Sequence, residues 1–227
     1  ELGYAPVVEL DGVMKINEWI TGAYAFKEFG KGYKIASLIG DDTWQGKIIR
    51  TFSDSISLNH MNSINSKAVQ MKTLINTELD PLPSIIVPSL AESYNKSLEK
   101  KNTENENDAR FQFRVARWHF SHKNYSSSYL ALIESIISHI CICKGLDPQD
   151  FDDREKAKAF LRDPHVCRSK QNNNLVPNLA SIVDCYHKTN SVRNSIAHMK
   201  IEDKGAKTTE QMISILNGCI TKLSGII

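Results

Sequence analysis

Apolar residues recur at helical spacing from the eleventh residue of the chain onward. Asp11 is a typical helix N-cap, and Gly30 ends the periodic stretch that follows it. The apolar positions between them are Val13, Ile16, Ile20, Tyr24 and Phe26. The pattern therefore predicts a helix up to Gly30, followed by a short second helix over Tyr33–Ile39.

A longer helical pattern covers residues 43–79, where serines, asparagines and threonines often interrupt the apolar positions. Because of these interruptions we expect one helix with a kink near residues 53–55. Pro81 and Pro83 are expected to end it, since proline lacks the N–H that a helix interior requires. Residues 85–90 would then form a small apolar patch before another break.

The C-terminal half of the sequence predicts a second series of helices. The most apolar of them is Tyr125–Cys143, which ends before Gly145, a residue favoured just after a helix. A polar loop is expected over residues 168–174. Further helices are predicted over residues 109–121, 155–161 and 177–187, over a segment capped by Asn190 or Ser191, and over residues 208–223.

One polar segment, residues 95–108, contains almost no apolar side chain and cannot bury apolar area, so we expect a mobile loop. It divides the chain into an N-terminal helical portion, residues 11–94, and a C-terminal core, residues 109–227. Residues 1–10 have the character of a linker or of the last piece of an upstream domain. The predicted fold class is all-α, an antiparallel helical bundle with an additional N-terminal helical portion.

Composition narrows the possible functions. Of 227 residues, 41% are hydrophobic and 24% charged, as in an ordinary globular protein. The net charge of +2 is too small for a protein that binds nucleic acid by global electrostatics, so any RNA contact requires a local basic site. The five cysteines are an odd number without framework spacing, and we interpret them as reduced thiols of a cytoplasmic protein.

Neither a membrane span nor a signal peptide is expected. No apolar run approaches the roughly 20 residues that cross a bilayer, so membrane contact is not predicted. The chain opens with Glu1-Leu2-Gly3 rather than with an initiator Met, and we expect a fragment or a chain processed from something longer.

The segment that carries the most chemistry is residues 191–200, which places Arg193, Asn194 and His198 close together. Arginine can form a two-pronged contact with a phosphate, asparagine both donates and accepts, and histidine titrates near neutrality. Asn194 and His198 are four residues apart and would share a helix face. Spacing alone leaves two interpretations open: a metal-free phosphodiesterase site, or a helix end that carries a favourable histidine and a surface arginine.

Three arginines before the apolar helix recur close to helical spacing: Arg110, Arg114 and Arg117. Together with Lys200 they are candidates for contacts with RNA phosphates, and a solvated helix face is the alternative. No metal site is predicted, because His139, Cys141 and Cys143 alternate on different sides of a helix and no closely spaced cysteine pair accompanies them. Buried thiols and a core histidine are the preferred interpretation.

The sequence Arg193-Asn194 with His198 resembles the R-N-x-x-x-H signature of HEPN (higher eukaryote and prokaryote nucleotide-binding) ribonucleases. The likeness extends to the effector half of CRISPR-associated CARF–HEPN proteins of type III systems, loosely over residues 6–40 and better over 110–200. Residues 41–109 are not covered by it. The further segments that carry the likeness are Ile16-Asn17-Glu18-Trp19, Trp118-His119-Phe120, Asn124-Tyr125 and Ala131-Leu132-Ile133-Glu134.

The resemblance implies an endoribonuclease that needs no metal and no other cofactor. The RNA 2′-hydroxyl would attack the adjacent phosphate and leave a 2′,3′-cyclic phosphate, which excludes DNA as a substrate; the expected substrate is single-stranded RNA. His198 would move the proton, Arg193 would neutralise the phosphoryl charge, and Asn194 would position either of them. Glu134, an acidic residue within an apolar helix, would orient Arg193 or line the cleft; a surface-facing glutamate is the alternative.

The resemblance also implies partners. Two copies of the motif would meet across a homodimer interface and form one composite active site. A sensor domain for cyclic oligoadenylate would precede this chain in an antiviral defence protein, and it is absent here. The alternative function is a non-catalytic helical module for dimerisation or partner binding.

Overall fold

The computed structural model describes residues 10–75, 81–101, 103, 106–197 and 207–227. No strand occurs in these ranges, so the prediction of an all-α chain is confirmed. The chain forms two compact units, residues 1–99 and 100–227, which are described separately. The helices are α1 (Asp11–Phe29), α2 (Tyr33–Ile39), α3 (Trp44–Ser57), α4 (Met61–Met71), α5 (Pro81–Leu98), α6 (Asp108–Ser121), α7 (Tyr125–Cys143), α8 (Phe151–Arg162), α9 (Lys170–Leu175), α10 (Leu179–Ala197) and α11 (Thr209–Leu223).

The first unit is built around three aromatic rings from α1, α3 and α5. The rings of Phe26 and Phe52 both lie against Tyr94, at centroid distances of 4.7 and 4.8 Å. The Tyr94 hydroxyl also donates a hydrogen bond to the backbone carbonyl of Phe26. Burial raises the pKa of Tyr94, which keeps this donor protonated. The aromatic cluster therefore ties the first helix to the last one of this unit.

Gly46 allows the start of α3 to lie directly against the turn before it. The N-cap residue Thr43 accepts a hydrogen bond from the Gly46 N–H at 3.1 Å. A Cβ atom at Gly46 would lie 2.3 Å from the Gly40 carbonyl oxygen. Only glycine fits this close approach of two backbone segments.

Two predictions for the first unit are wrong. Within residues 43–75, the described part of this pattern, α3 and α4 separate at residues 58–60, where Asn59 has a φ of 53°, rather than forming one helix kinked near 53–55. Ser53 and Ser55 stay within α3 because their hydroxyls donate to carbonyls one turn earlier, at 2.9 and 2.7 Å. In addition, α5 begins at Pro81, a favoured first position, and continues through Pro88, so residues 85–90 are helical.

The second unit is organised around α7, which pairs with α6 in an antiparallel hairpin. Ser128 donates to the Ala116 carbonyl at 2.7 Å, and Ser135 donates to the Ala109 carbonyl at 2.8 Å. The earlier serine of α7 bonds to the later residue of α6, and the later serine bonds to the earlier residue. This order shows that the two helices are antiparallel. Both hydroxyls are buried, and these bonds let polar side chains lie in a helix interface.

Within the described residues, one helix is long and apolar enough to cross a membrane by length and composition, and it is α7. Serines and Glu134 break its apolar run, so the sequence pattern did not indicate a helix of this kind. Of its most apolar window, 61% is buried by the protein itself, against α6, α8, α10 and α11. A central bundle helix has this property.

The second unit also differs from the prediction in its later helices. The expected helices over residues 177–187 and beyond Ser191 are one continuous helix, α10, since Thr189 and Val192 carry its buried stripe across the expected break. Part of the loop expected at 168–174 is helix α9, and α8 is longer than residues 155–161. In the polar segment 95–108, the first four residues belong to α5 and the last begins α6.

Gly46→Ala should destabilise the first unit by about 2–3 kcal/mol, because the added methyl group meets backbone that cannot move aside. The matched control is Gly12→Ala, in the first turn of α1, where a Cβ meets nothing within 4 Å. It should stabilise by about 0.5 kcal/mol. Denaturant unfolding of both variants measures the difference; equal stabilities would contradict the described approach of α3 to the turn.

His119, fully buried on α6, should make the stability of the second unit depend on pH. Burial, with a smaller contribution from neighbouring His122, lowers its pKa to about 4. The unfolded chain therefore binds the proton first as the pH falls below about 6.5, and stability is lost between about pH 6.5 and 4, by at most about 3 kcal/mol.

Unfolding free energies of the parent and of His119→Gln, measured across this pH range, test the assignment. The variant should show a flatter dependence on pH, whereas the control His187→Gln, at an exposed position of α10, should keep the parental slope. A His119→Gln profile parallel to that of the parent would contradict the buried neutral histidine.

Candidate active site

The predicted site begins in the last turns of α10. Arg193 and Asn194 are both half-buried there, directly after Val192, which is buried and anchors this end of the helix in the core. The Arg193 Nη1 atom donates a hydrogen bond to Asn194 Oδ1 at 3.1 Å. The structure therefore brings two of the predicted residues into direct contact and orients the guanidinium group.

The third predicted residue, His198, follows the last residue of α10, Ala197, and lies outside the described residues, as does Lys200. That Asn194 and His198 share a helix face stays a prediction.

Glu134 does not contact Arg193. Its carboxylate instead forms an ion pair with Arg154 of α8, within the second unit. Arg154 also donates to the Pro148 carbonyl at 3.0 Å, which fixes its position beside α7. The expectation that Glu134 orients Arg193 is therefore wrong: a cation from the neighbouring helix already pairs with the half-exposed carboxylate.

The three arginines of α6 are brought together as expected. Arg110, Arg114 and Arg117 lie on one face of the helix and line a cavity of about 350 Å³. Sequence reasoning missed two charged residues of this cavity, Lys101 and Glu106, because the polar segment that contains them was treated as a solvated loop. The sequence signal was present: that segment lies next to the basic helix.

The cysteines and histidines of α7 form a small contact rather than a cluster. Cys143 Sγ lies 3.6 Å from His139 Nε2, and burial raises the pKa of Cys143 and lowers that of His139. Within the described ranges no three His, Cys, Asp or Glu side chains come together in a way that could hold a metal ion. All five cysteines are free thiols.

A contact that no sequence pattern indicated lies between α10 and α11. Cys185 and Cys219 lie side by side between the two helices, and the interaction of their thiols lowers the pKa of Cys185 and raises that of Cys219. One turn away, Lys222 reaches Asp184 at 3.0 Å. These contacts fix α10, the helix that carries Arg193, against the last helix of the chain.

Fold and site together define an all-α chain with a polar Arg–Asn pair at the end of a long helix. Residues 15–105 match a family model described as the second domain of CRISPR-associated protein MJ1674. This range includes most of the first unit and most of residues 41–109, which the sequence resemblance had left unassigned.

The chain is also similar to a curated protein, CRISPR-associated protein MJ1674 of Methanocaldococcus jannaschii. The two are 32% identical over 209 residues, which cover 90% of this chain and 31% of the relative. The chain thus spans about a third of the length of that relative. No solved structure matches. The similarity is to a CRISPR-associated protein, as the resemblance implied, and it does not bear on the HEPN assignment of the second unit, which stays a prediction.

Proposed function

We propose that the chain is the ribonuclease part of a CRISPR-associated defence protein, a metal-independent endoribonuclease that cleaves single-stranded RNA. The observation that carries the proposal is the Arg193–Asn194 pair, held at 3.1 Å in the last turns of α10 and followed by His198 four residues later. The similarity to CRISPR-associated protein MJ1674 over nine tenths of the chain supports the biological context.

The pair suits a phosphodiester in its transition state. Asn194 accepts a hydrogen bond from one N–H of Arg193 and thereby orients the planar guanidinium group. The other N–H groups of the guanidinium lie in the same plane and are oriented with it. Both side chains are half-buried, and partial burial strengthens their attraction for the developing phosphoryl charge compared with a fully hydrated site.

The proton transfers fall to His198, whose ordinary pKa lies near neutral pH. RNA carries its own nucleophile, the 2′-hydroxyl, so the protein has only to orient it, stabilise the phosphate and move one proton. General acid–base catalysis of this kind contributes about 10²–10⁴-fold. The expected products end in a 2′,3′-cyclic phosphate and a 5′-hydroxyl.

One chain contains one such motif, and the proposed active species is a homodimer whose two motifs share one cleft. The proposed controller of this activity is a sensor domain for cyclic oligoadenylate. A relative about three times as long has room for such a domain.

His198→Ala and Arg193→Ala should each abolish most cleavage of a single-stranded RNA, by at least about 10²-fold, with excess chelator present throughout. The matched control is His187→Ala, an exposed histidine on α10, which should cleave like the parent. Gel analysis of the RNA provides the measurement. Cleavage that requires a divalent metal, or that survives His198→Ala, would rule out the mechanism.

The chain should be a dimer at micromolar concentration, and its specific activity should fall on dilution below the dissociation constant, since a monomer holds only half of the composite site. Analytical ultracentrifugation and rates over a dilution series measure both quantities. A strict monomer that cleaves RNA at undiminished specific activity would contradict the composite site.

A second candidate function, a non-catalytic dimerisation module, is favoured by one observation. Beside its buried face, α1 with its N-cap residue carries apolar side chains that are 48–63% exposed: Leu10, Val13, Ile16, Ile20 and Tyr24. A dimer that Ile20→Glu dissociates and Lys15→Glu leaves intact, without RNA turnover by the parent, would select this candidate.

A further inference from the structure

A basic cavity lies on the second unit, between the N-terminal segment of that unit, α6 and the end of α11. Its charged lining consists of Lys101, Glu106, Arg110, Arg114 and Arg117. The three arginines are spaced by four and three residues and thus share one helix face. From Arg110 to Arg117 they extend over about 10 Å of helix, which is longer than a single phosphate group.

A carboxylate of the protein already occupies part of this cavity. The Glu106 side chain is only 7% exposed, and both of its oxygens accept from Arg114 Nη1, at 3.0 and 2.9 Å. The Glu106 N–H donates to the Thr103 carbonyl at 3.0 Å, which holds the backbone at this carboxylate. The carboxylate thus marks a position where an anion is stable against the arginine row.

The outer arginine, Arg117, is exposed, and among the described residues no side chain accepts a hydrogen bond from it. Arg110 also donates from Nε to the backbone carbonyl of Ile227 at 3.0 Å, which draws its guanidinium to the cavity wall. Of the described side chains that line the cavity, four are cationic and one is a carboxylate, so this lining attracts negative charge.

This cavity is distinct from the Arg193 site. Asp184 pairs with Lys222, and Cys185 lies beside Cys219, so the residue number falls along α11 as it rises along α10 and the two helices run antiparallel. The cavity includes Ser224 and Ile227, beyond the C-terminal end of α11. Arg193 lies nine residues after Asp184, about 14 Å towards the opposite end of α11.

We propose that the arginine row binds consecutive backbone phosphates of a single-stranded nucleic acid, at a distance of a few nucleotides from the bond that is cut. The length of the row fits a strand better than a free phosphate or mononucleotide. The aromatic residue of the wall, Phe113, is buried and offers no ring face for a base, so the contact is independent of sequence. The inference that the bound strand is the RNA that is cleaved rests on the proposed function. The inference that the arginine row binds the phosphates of a strand does not depend on it.

Fluorescence anisotropy of the full chain with labelled 12-nucleotide RNA and DNA of one sequence tests this inference. Arg117→Gln should weaken binding of both strands several-fold and make the dependence of log K on log salt shallower by about 0.7, the value for one lost phosphate contact. Glu106→Gln should tighten binding, because it removes the negative charge that lies against Arg114. Arg168→Gln, the same charge change at an exposed position outside the cavity, should bind like the parent.

The inference would be overturned if Arg117→Gln bound the strands with the same affinity as Arg168→Gln and the parent, and with an unchanged dependence on salt. Displacement of the strand by micromolar AMP or pyrophosphate would instead assign the cavity to a small phosphate ligand and overturn it as well. DNA lacks the 2′-hydroxyl and is not cleaved, so its binding reports on the cavity alone. An RNA that is bound but never cut would refute the proposed function and leave the cavity assignment intact.

Discussion

The second unit depends on one constraint: α7 is apolar enough to require cover on several sides. Four helices provide that cover, and buried serine hydroxyls set the register of the closest of them, α6, by hydrogen bonds to its backbone. Once α6 is held in this register, Arg110, Arg114 and Arg117 line the outer cavity. α10 is one of these covering helices, and its buried residues extend as far as Val192. The core therefore positions Arg193 and Asn194, although neither residue is part of it.

The electrostatics of the chain are local. Although the net charge of the chain is only +2, one cavity concentrates positive charge, with the arginine row and Lys101 around the carboxylate of Glu106. The proposed catalytic pair lies elsewhere on the same unit, and its own hydrogen bond orients it. A strand that lies along the arginine row would be held by its phosphates and presented, a few nucleotides away, to Arg193. Binding and chemistry would then be separate functions of separate helices.

Periodicity predicted the fold class and most helices, because a helix that covers a core repeats its apolar positions along the sequence. It failed where tertiary contacts outweighed local signals: α5 continues through Pro88, and α10 crosses an expected break because Thr189 and Val192 are buried. The Arg193–Asn194 contact agrees with the role that the resemblance implied for Asn194, whereas helical spacing alone does not predict it, because adjacent side chains of a helix point in different directions. The partner of Glu134 was not predictable either, because Arg154 comes from another helix, and no spacing rule relates the two positions.

The central claim is that this helical chain performs metal-free transesterification of RNA. Mass spectrometry of the ends left on a single-stranded RNA, after incubation with the chain in excess chelator, tests it most directly. The mechanism predicts 2′,3′-cyclic phosphate and 5′-hydroxyl ends, and protection of any linkage whose 2′-hydroxyl is replaced by hydrogen. Ends with a 5′-phosphate and a 3′-hydroxyl, or cleavage at the deoxy linkage, would contradict the claim, because neither product arises from attack by the 2′-hydroxyl.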